Sequence, residues 1–303
     1  KLERRQREHE KARAEQLLLL DVSDAFHLYL QQRENIRILN AIRQTLLDRN
    51  QELAAREKIG RSRLSELAAV RAQLYRVEAE WEAAQVNETI ASQLLQFLTG
   101  LDAIGDLADP DPTLPSLEGR ETYLARAATR ADVKAAEQAL EISHQELRVA
   151  RSKFFPTVGA EGNYYVERSG AAKDVKWDAS LEMNVPIFQG GSALGATREA
   201  ESGVRQAELQ LRRVRRVAGR EILDAYADYE GALAQVRALT KALEASEENY
   251  QLQVEEYRRS LVSNLEVLSV LQNLQDARGE LVQARSEALR RYWKLKVAAG
   301  ETA

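Results

Sequence analysis

From Val204 to Tyr257 apolar or small residues recur at 204, 207, 211, 214, 218, 222, 225, 229, 232, 236, 239, 243, 246, 250, 254 and 257, with no proline between them. Steps of three and four hold one stripe on a single helical face, and that stripe has to be covered by a partner helix. A helix from about Ser192 to Arg259 would be roughly 100 Å long at 1.5 Å per residue. The composition points the same way. The 303 residues are 30% charged and only 6% aromatic, with five prolines, which describes long helices and not a compact core. Zero cysteines remove disulfide scaffolds and thiolate metal sites. A formal charge of −4 argues against nucleic acid as a partner. The longest leucine run, Leu17 to Leu20, is far too short for a membrane-spanning helix. The chain opens inside a helical pattern (KLERRQREHEKARAEQ), so it reads as an excerpt of a longer precursor, and the lack of a signal peptide says nothing about compartment.

The chain is internally duplicated. At an offset close to 200 residues, Asp24-Ala25-Phe26 falls on Asp224-Ala225-Tyr226, Tyr29 on Tyr229, Leu74 on Leu274 and Gly100 on Gly300. A second stripe runs through Leu274, Ala277, Leu281, Ala284, Ala288, Tyr292 and Leu295. Between the two stripes, Ser260-Leu261-Val262-Ser263-Asn264 is a tight turn of an antiparallel helical hairpin. Its counterpart is Gly60-Arg61-Ser62-Arg63-Leu64, where glycine suits a left-handed helix end. Three of the five prolines fall in Asp109–Pro115 and exclude a helix there. The chain thus divides into a helical hairpin over 1–100 with its tip near 60–64, an irregular connection over 101–119, and a short helix over 120–153. A distinct segment over 154–191 follows, then a second helical hairpin over 192–300 with its tip near 260–264.

Residues 154–191 change period from about 3.5 to 2. Val158, Ala160, Gly162, Tyr164 and Val166 are apolar or small, and Val175, Trp177, Ala179, Leu181, Met183, Val185 and Ile187 repeat the pattern. Lys176, Asp178, Ser180, Glu182 and Asn184 fill the alternate positions. This predicts two strands of about ten residues or slightly more, joined by a turn over 168–174 and bounded by Pro156 and Pro186. In a soluble sheet the apolar face packs on a core; in a transmembrane barrel it meets lipid, with aromatics at the rims. A lone hairpin is unstable in water, and no globular core is evident for it to cover, which favours the barrel.

Three local signatures then resemble the TolC-type outer-membrane factor family. Pro186-Ile187-Phe188-Gln189-Gly190-Gly191 is similar to the family's passage from strand into long helix, with Ser192 placed to cap the helix start. Phe155-Pro156-Thr157-Val158 resembles its helix-to-strand entry. Tyr257-x-x-Ser260-x-x-Ser263-x-Leu265-Glu266-Val267-Leu268 resembles its periplasmic turn, with serine for glycine and glutamate for aspartate. The first copy keeps Gly60 but carries Glu57 in place of the tyrosine.

The resemblance implies a mainly α fold of long antiparallel helical hairpins, a coiled-coil barrel. Its transmembrane β-hairpin contributes to a trimeric 12-stranded barrel, the segment upstream of Lys1 being expected to supply each chain's second strand pair. It implies an outer-membrane duct extending into the periplasm of a Gram-negative bacterium, within an efflux pump or type I secretion system. Its partners are then two further copies, a periplasmic adaptor (membrane fusion) protein, an inner-membrane pump and outer-membrane lipid. Lipid would meet Val158, Tyr164, Trp177, Leu181, Met183 and Val185, while Pro156, Pro186, Gly190 and Gly191 form the strand–helix junctions. Polar strand residues such as Glu161, Asn163, Asp178, Ser180 and Glu182 would face the lumen. Adaptors would dock at Gly60, Arg61, Ser62, Leu64, Ser260, Leu261, Ser263 and Leu265. Glu266, Glu66 and Tyr257 would serve the gate.

No enzyme is expected, and no cofactor or metal. His9, His27 and His144 have no ligand spacing and read as solvated helix surface, and no phosphate loop or nucleophile elbow occurs. Trp81 and Trp293 are expected to pack between helices. The competing arrangement is a soluble coiled-coil scaffold, or an adaptor-like protein, in which helices cap the strands' apolar face.

Overall fold

The computed structural model describes residues 1–60, 62–105, 107, 113–167 and 174–301. In order these form α1 (Leu2–Lys58), α2 (Leu64–Thr99), α3 (Arg120–Arg126), a 3-10 turn (Ala127–Thr129), α4 (Ala131–Ser152), β1 (Thr157–Tyr164), β2 (Trp177–Asn184), α5 (Ser192–Arg258) and α6 (Asn264–Ala298). The fold is mainly α, with long helices and one strand pair. Among the described residues, no helix is long and apolar enough to cross a membrane.

The duplication reaches the helix ends. α1 stops at Lys58 and α5 at Arg258; α2 starts at Leu64 and α6 at Asn264. Gly60 and Ser260 both take positive φ, +70° and +59°, and so do Gly100 and Gly300, at +70° and +82°. A left-handed residue ends a helix because it redirects the chain while the last carbonyls find donors. Thus the Gly60 N–H donates to the Glu57 carbonyl at 2.8 Å, and the Ser260 N–H to Tyr257 at 2.9 Å.

The chain forms two compact units. One comprises Ala12–Arg130 and Ala218–Ala303. Its core has two parts. In the first, Leu39, Ile42, Leu46 and Leu53 of α1 meet Leu67, Val70, Leu74 and Val77 of α2, and Leu268 and Leu271 of α6 join them. In the second, Ile222, Ala225, Tyr229, Ala232 and Val236 of α5 face Leu281, Ala284, Ala288 and Leu295 of α6, with Tyr123 of α3. These are the stripes read from the sequence, and the small residues on them let helices approach closely.

Tyr229 is fully buried, and its hydroxyl donates to the Pro115 carbonyl. Burial, with Tyr292 and Tyr123 close by, pushes that phenol up to about 12. Replacing it by Phe leaves the Pro115 carbonyl without its donor. Tyr229→Phe is expected to cost about 1–2 kcal/mol and to speed amide exchange in residues 113–119 before the helices respond.

His27 lies off its sequence expectation. It is only 4% exposed, stacks edge-on against Phe26 at 5.2 Å, and its carbonyl accepts from the Ser286 hydroxyl. The apolar wall around it, with Val22, Leu289 and Trp293, encloses a face that looks solvated from α1 alone. Trp81 and Trp293 are half-buried among helices, with the Arg43 guanidinium 5.4 Å from the Trp81 ring.

The helix expected over 120–153 is interrupted. Arg130 is extended (φ −57°, ψ 144°), and its fully buried side chain donates to the Ala298 carbonyl at 3.0 Å and to Glu221 Oε2 at 2.7 Å. Arg13 donates to the Val297 carbonyl at 3.2 Å, and Gln16 to Gly300 at 3.0 Å. Three side chains therefore satisfy the orphan carbonyls at the end of α6. The break at 127–130 is what turns Arg130 inward.

The other unit comprises Lys1–Lys11 and Ala131–Val217. Here α4 buries Val133, Ala135 and Ala150, and the first part of α5 buries Ala193, Val204 and Leu211. Surface pairs Arg215–Glu137 (2.7 Å) and Arg151–Glu201 (3.2 Å) join α4 to α5 and contribute little individually.

Candidate functional site

β1 and β2 pair antiparallel, with Val158 opposite Met183, Ala160 opposite Leu181, Gly162 opposite Ala179 and Tyr164 opposite Trp177. The other face pairs Thr157 with Asn184, Gly159 with Glu182, Glu161 with Ser180 and Asn163 with Asp178. Directly opposed residues share a face, so one side is wholly apolar or small and the other almost wholly polar. At eight residues each, the strands are shorter than their alternation suggested; one further bond, from the Tyr165 N–H to the Lys176 carbonyl at 2.8 Å, extends the ladder. The connection at 168–173 lies outside the described residues. Nothing covers the apolar face among the described residues: Trp177 is 66% exposed and Leu181 78%, with Val158, Tyr164, Met183 and Val185 also open.

Pro156 leads directly into β1, and Pro186 follows β2 by two residues. Gly190 and Gly191 are both left-handed, at φ +60° and +82°, a consecutive pair that only glycine adopts readily. The Gly191 carbonyl accepts from the Gly195 N–H at 2.9 Å, so Gly191, not Ser192, stands at the cap of α5. Ser192 is already the first helical residue.

At the hairpin turns, Leu64, Leu261 and Leu265 are exposed, Leu261 by 70%, and Gly60 and Ser260 carry the left-handed bend. Arg61 lies outside the described residues. Glu266 folds back on the start of its own helix, accepting from the Ser263 N–H at 2.6 Å and its hydroxyl at 2.8 Å. Glu66 does the same, accepting from the Ser62 hydroxyl at 2.7 Å and the Arg63 N–H at 3.3 Å. Ser263 and Glu266 form a reciprocal capping box, whereas Glu66 supplies only the returning carboxylate, since the N-cap Arg63 side chain cannot accept a hydrogen bond. The Ser263 backbone and hydroxyl hold the Glu266 carboxyl below its ordinary range. Its contribution to the cap is therefore present above the ordinary carboxylate pKa and fades only as pH falls through the lowered value.

Tyr257 is the centre of a cluster joining the two hairpins. The Arg49 guanidinium sits 4.4 Å from its ring centroid, and Arg56, one heptad on, sits at 5.6 Å with Nη1 donating to the phenol oxygen at 3.4 Å. Arg49 Nε also donates to Asn264 Oδ1 at 2.7 Å. Arg49, Arg56 and Asn264 were missed by sequence reasoning. Their only signal was the seven-residue spacing of two arginines on α1, which is common on solvated faces.

Among the described residues, no group of three or more His, Cys, Asp or Glu is placed to hold a metal ion. The geometry is that of a scaffold with exposed apolar strands and linked hairpins.

The model of the outer membrane efflux protein family matches residues 124–301. Nodulation protein T of Rhizobium leguminosarum bv. trifolii is 23% identical over 258 residues, covering 80% of this chain and 51% of that protein. Alkaline protease secretion protein AprF of Pseudomonas aeruginosa is 21% identical over 298 residues, covering 94% of this chain and 62% of that one. The chain thus spans about half to three fifths of the length of these relatives. The outer membrane protein VceC of Vibrio cholerae shares the fold, with a TM-score of 0.82 at 21% identity over 98% of this chain and 72% of that chain. The family match takes in more than half of the residues, from α3 through the strand pair and both helices of the second hairpin, and on that ground the chain belongs to the outer membrane efflux protein family.

Proposed function

We propose that the protein is the outer-membrane conduit of a tripartite efflux pump or type I secretion system, a passive duct opened by an adaptor docking at the hairpin turns. The observation that carries this reading is the strand pair. Its apolar face is uncovered, both outer edges are unpaired among the described residues, and such a hairpin does not persist alone in water. Lipid on one face and further strands at the edges remove both problems at once. Aromatic residues flank it: Phe155 and Phe188 at one end, Tyr164 and Trp177 at the other, all exposed. Phe155 and Tyr164 are nine residues apart, about 30 Å of strand, or about 23 Å of height at a 40° tilt, close to the ~25 Å apolar band of outer-membrane barrels. An uncapped apolar face also disfavours the soluble scaffold.

In this duct three copies close a 12-stranded barrel, and the hairpins continue it into the periplasm. Ser180, Glu182, Glu161, Asn163 and Asp178 line the lumen. The exposed turn residues Leu64, Leu261 and Leu265, with Gly60, Ser62, Ser260 and Ser263, receive the adaptor. Glu66 and Glu266 form carboxylate rings that favour cations near the entrance. The chain does no chemistry of its own; energy enters through the inner-membrane pump. Cargo follows from that pump: one relative is named for alkaline protease secretion, and the family for efflux.

The Arg49–Tyr257–Arg56 cluster is the latch of the closed entrance, because it ties α1 to the α5–α6 turn. The full-length protein reconstituted in planar bilayers should conduct as trimers. Tyr257→Ala removes about 1–2 kcal/mol of latch and should raise open probability roughly five- to thirtyfold. Absence of any conductance from well-folded protein would overturn the duct, and unchanged open probability in the variant would overturn the latch.

A further inference from the structure

The contact between Arg49 and Asn264 leaves two donors unanswered. Asn264 is fully buried, and its Nδ2 has no hydrogen-bond partner among the described residues; neither does the buried Arg49 Nη2. Rotating the amide does not help. Arg49 Nε only donates, so the Asn264 oxygen must face it, and Nδ2 is forced to the other side. Both free donors therefore flank one 2.7 Å hydrogen bond.

Charge is unanswered as well. No carboxylate contacts the half-buried Arg49 guanidinium among the described residues, since the nearby acids are committed elsewhere. Glu52 pairs with Arg56 at 2.6 Å, Asp48 accepts from Gln44 at 3.1 Å, and Glu266 is held in its capping box. The Tyr257 ring offers only its π-face, 4.4 Å away. A half-buried cation with a neutral amide and an aromatic ring for company lacks a counter-charge.

We infer that Arg49 Nη2 and Asn264 Nδ2 form a binding site for a small monovalent anion of chloride size, seated between α1 and the start of α6. An acceptor-only ion satisfies both donors and neutralises the guanidinium in one step. A water molecule fits less well, because it brings two hydrogens of its own to a place that offers donors and leaves the charge in place. The inference does not rest on the duct reading, since the site lies wholly inside one compact unit and acts on its stability.

The test uses the full-length protein at constant ionic strength, with chloride or bromide exchanged for gluconate, an anion far larger than a halide. Halide should raise the thermal midpoint by about 2–4 °C at concentrations well above its Kd. Crystals grown in bromide should show an anomalous peak within hydrogen-bond reach of both nitrogens. Asn264→Asp places a carboxylate oxygen where Nδ2 was, at a helix start that tolerates Asp well, and should abolish the halide dependence while the fold persists. Equal midpoints in halide and gluconate, a bromide-free density explained by water, or undiminished halide dependence in Asn264→Asp would each overturn the site.

Discussion

Leu181→Arg should abolish assembly into the outer membrane, whereas Ser180→Arg, one residue away, should insert nearly as wild type. The two positions are adjacent in sequence but lie on opposite faces of β2, Leu181 across from Ala160 and Ser180 across from Glu161. In the proposed duct the first faces lipid near mid-bilayer, where an arginine costs about 2–4 kcal/mol, and threefold symmetry repeats that cost in every chain. The second faces water in the lumen, where a charge needs no desolvation. Heat-modifiable trimers in outer-membrane fractions report the difference directly. Equal assembly of both variants would mean that neither face meets lipid and that the strands serve another purpose.

Arg130→Ala should lower stability by about 3–5 kcal/mol, the largest effect expected of any single truncation in the helical region. The side chain is fully buried, answers the Ala298 carbonyl, and pairs with Glu221, which Arg13 also approaches at 3.7 Å. Its removal opens a large void and leaves the Ala298 carbonyl without its donor. Arg130→Lys should recover little, because an ammonium cannot reach carbonyl and carboxylate with the same fork. Gly300 belongs to the same knot: a Cβ there would meet Arg130 Cγ at 3.0 Å, at a φ of +82° that already favours glycine. Thermal denaturation followed by circular dichroism, with amide exchange over residues 290–301, checks both the size and the place of the loss. A change under about 1 kcal/mol would show that the knot is dispensable.

Long-range geometry marks the border of what could be read from the chain. Helix ends at 58, 64, 99, 258 and 264 were legible to within a residue or two, because the three–four stripes stop there and Gly60 or a capping serine follows. The strand pair was legible from period two alone, down to which residues share a face. By contrast, the break at 127–130 was invisible. Ala-Ala-Thr-Arg-Ala is locally acceptable helix, and what breaks it is a contact from Arg130 to residues 91 and 168 positions away. His27 was misjudged for the same reason, since its cover comes from α6. Tyr257 was found through its motif, but its partner Arg49 bonds a residue 215 positions distant, and no local pattern carries that. Glu66 and Glu266 lie beside the hairpin turns and fold back on Ser62, Arg63 and Ser263; of these only Ser263-x-x-Glu266 has the spacing of a capping box, a signal that was legible in the sequence.

The complete sorting of residues across the β1–β2 ladder bears on how the protein reaches its final state. Were the hairpin to misalign by a single position, Leu181 would oppose Glu161 or Gly159, and greasy and charged groups would share each surface. In the proposed duct such a misthreaded form would sit stably in neither lipid nor water, so the bilayer itself would act as the proofreader of assembly, accepting the correctly threaded hairpin and rejecting the others.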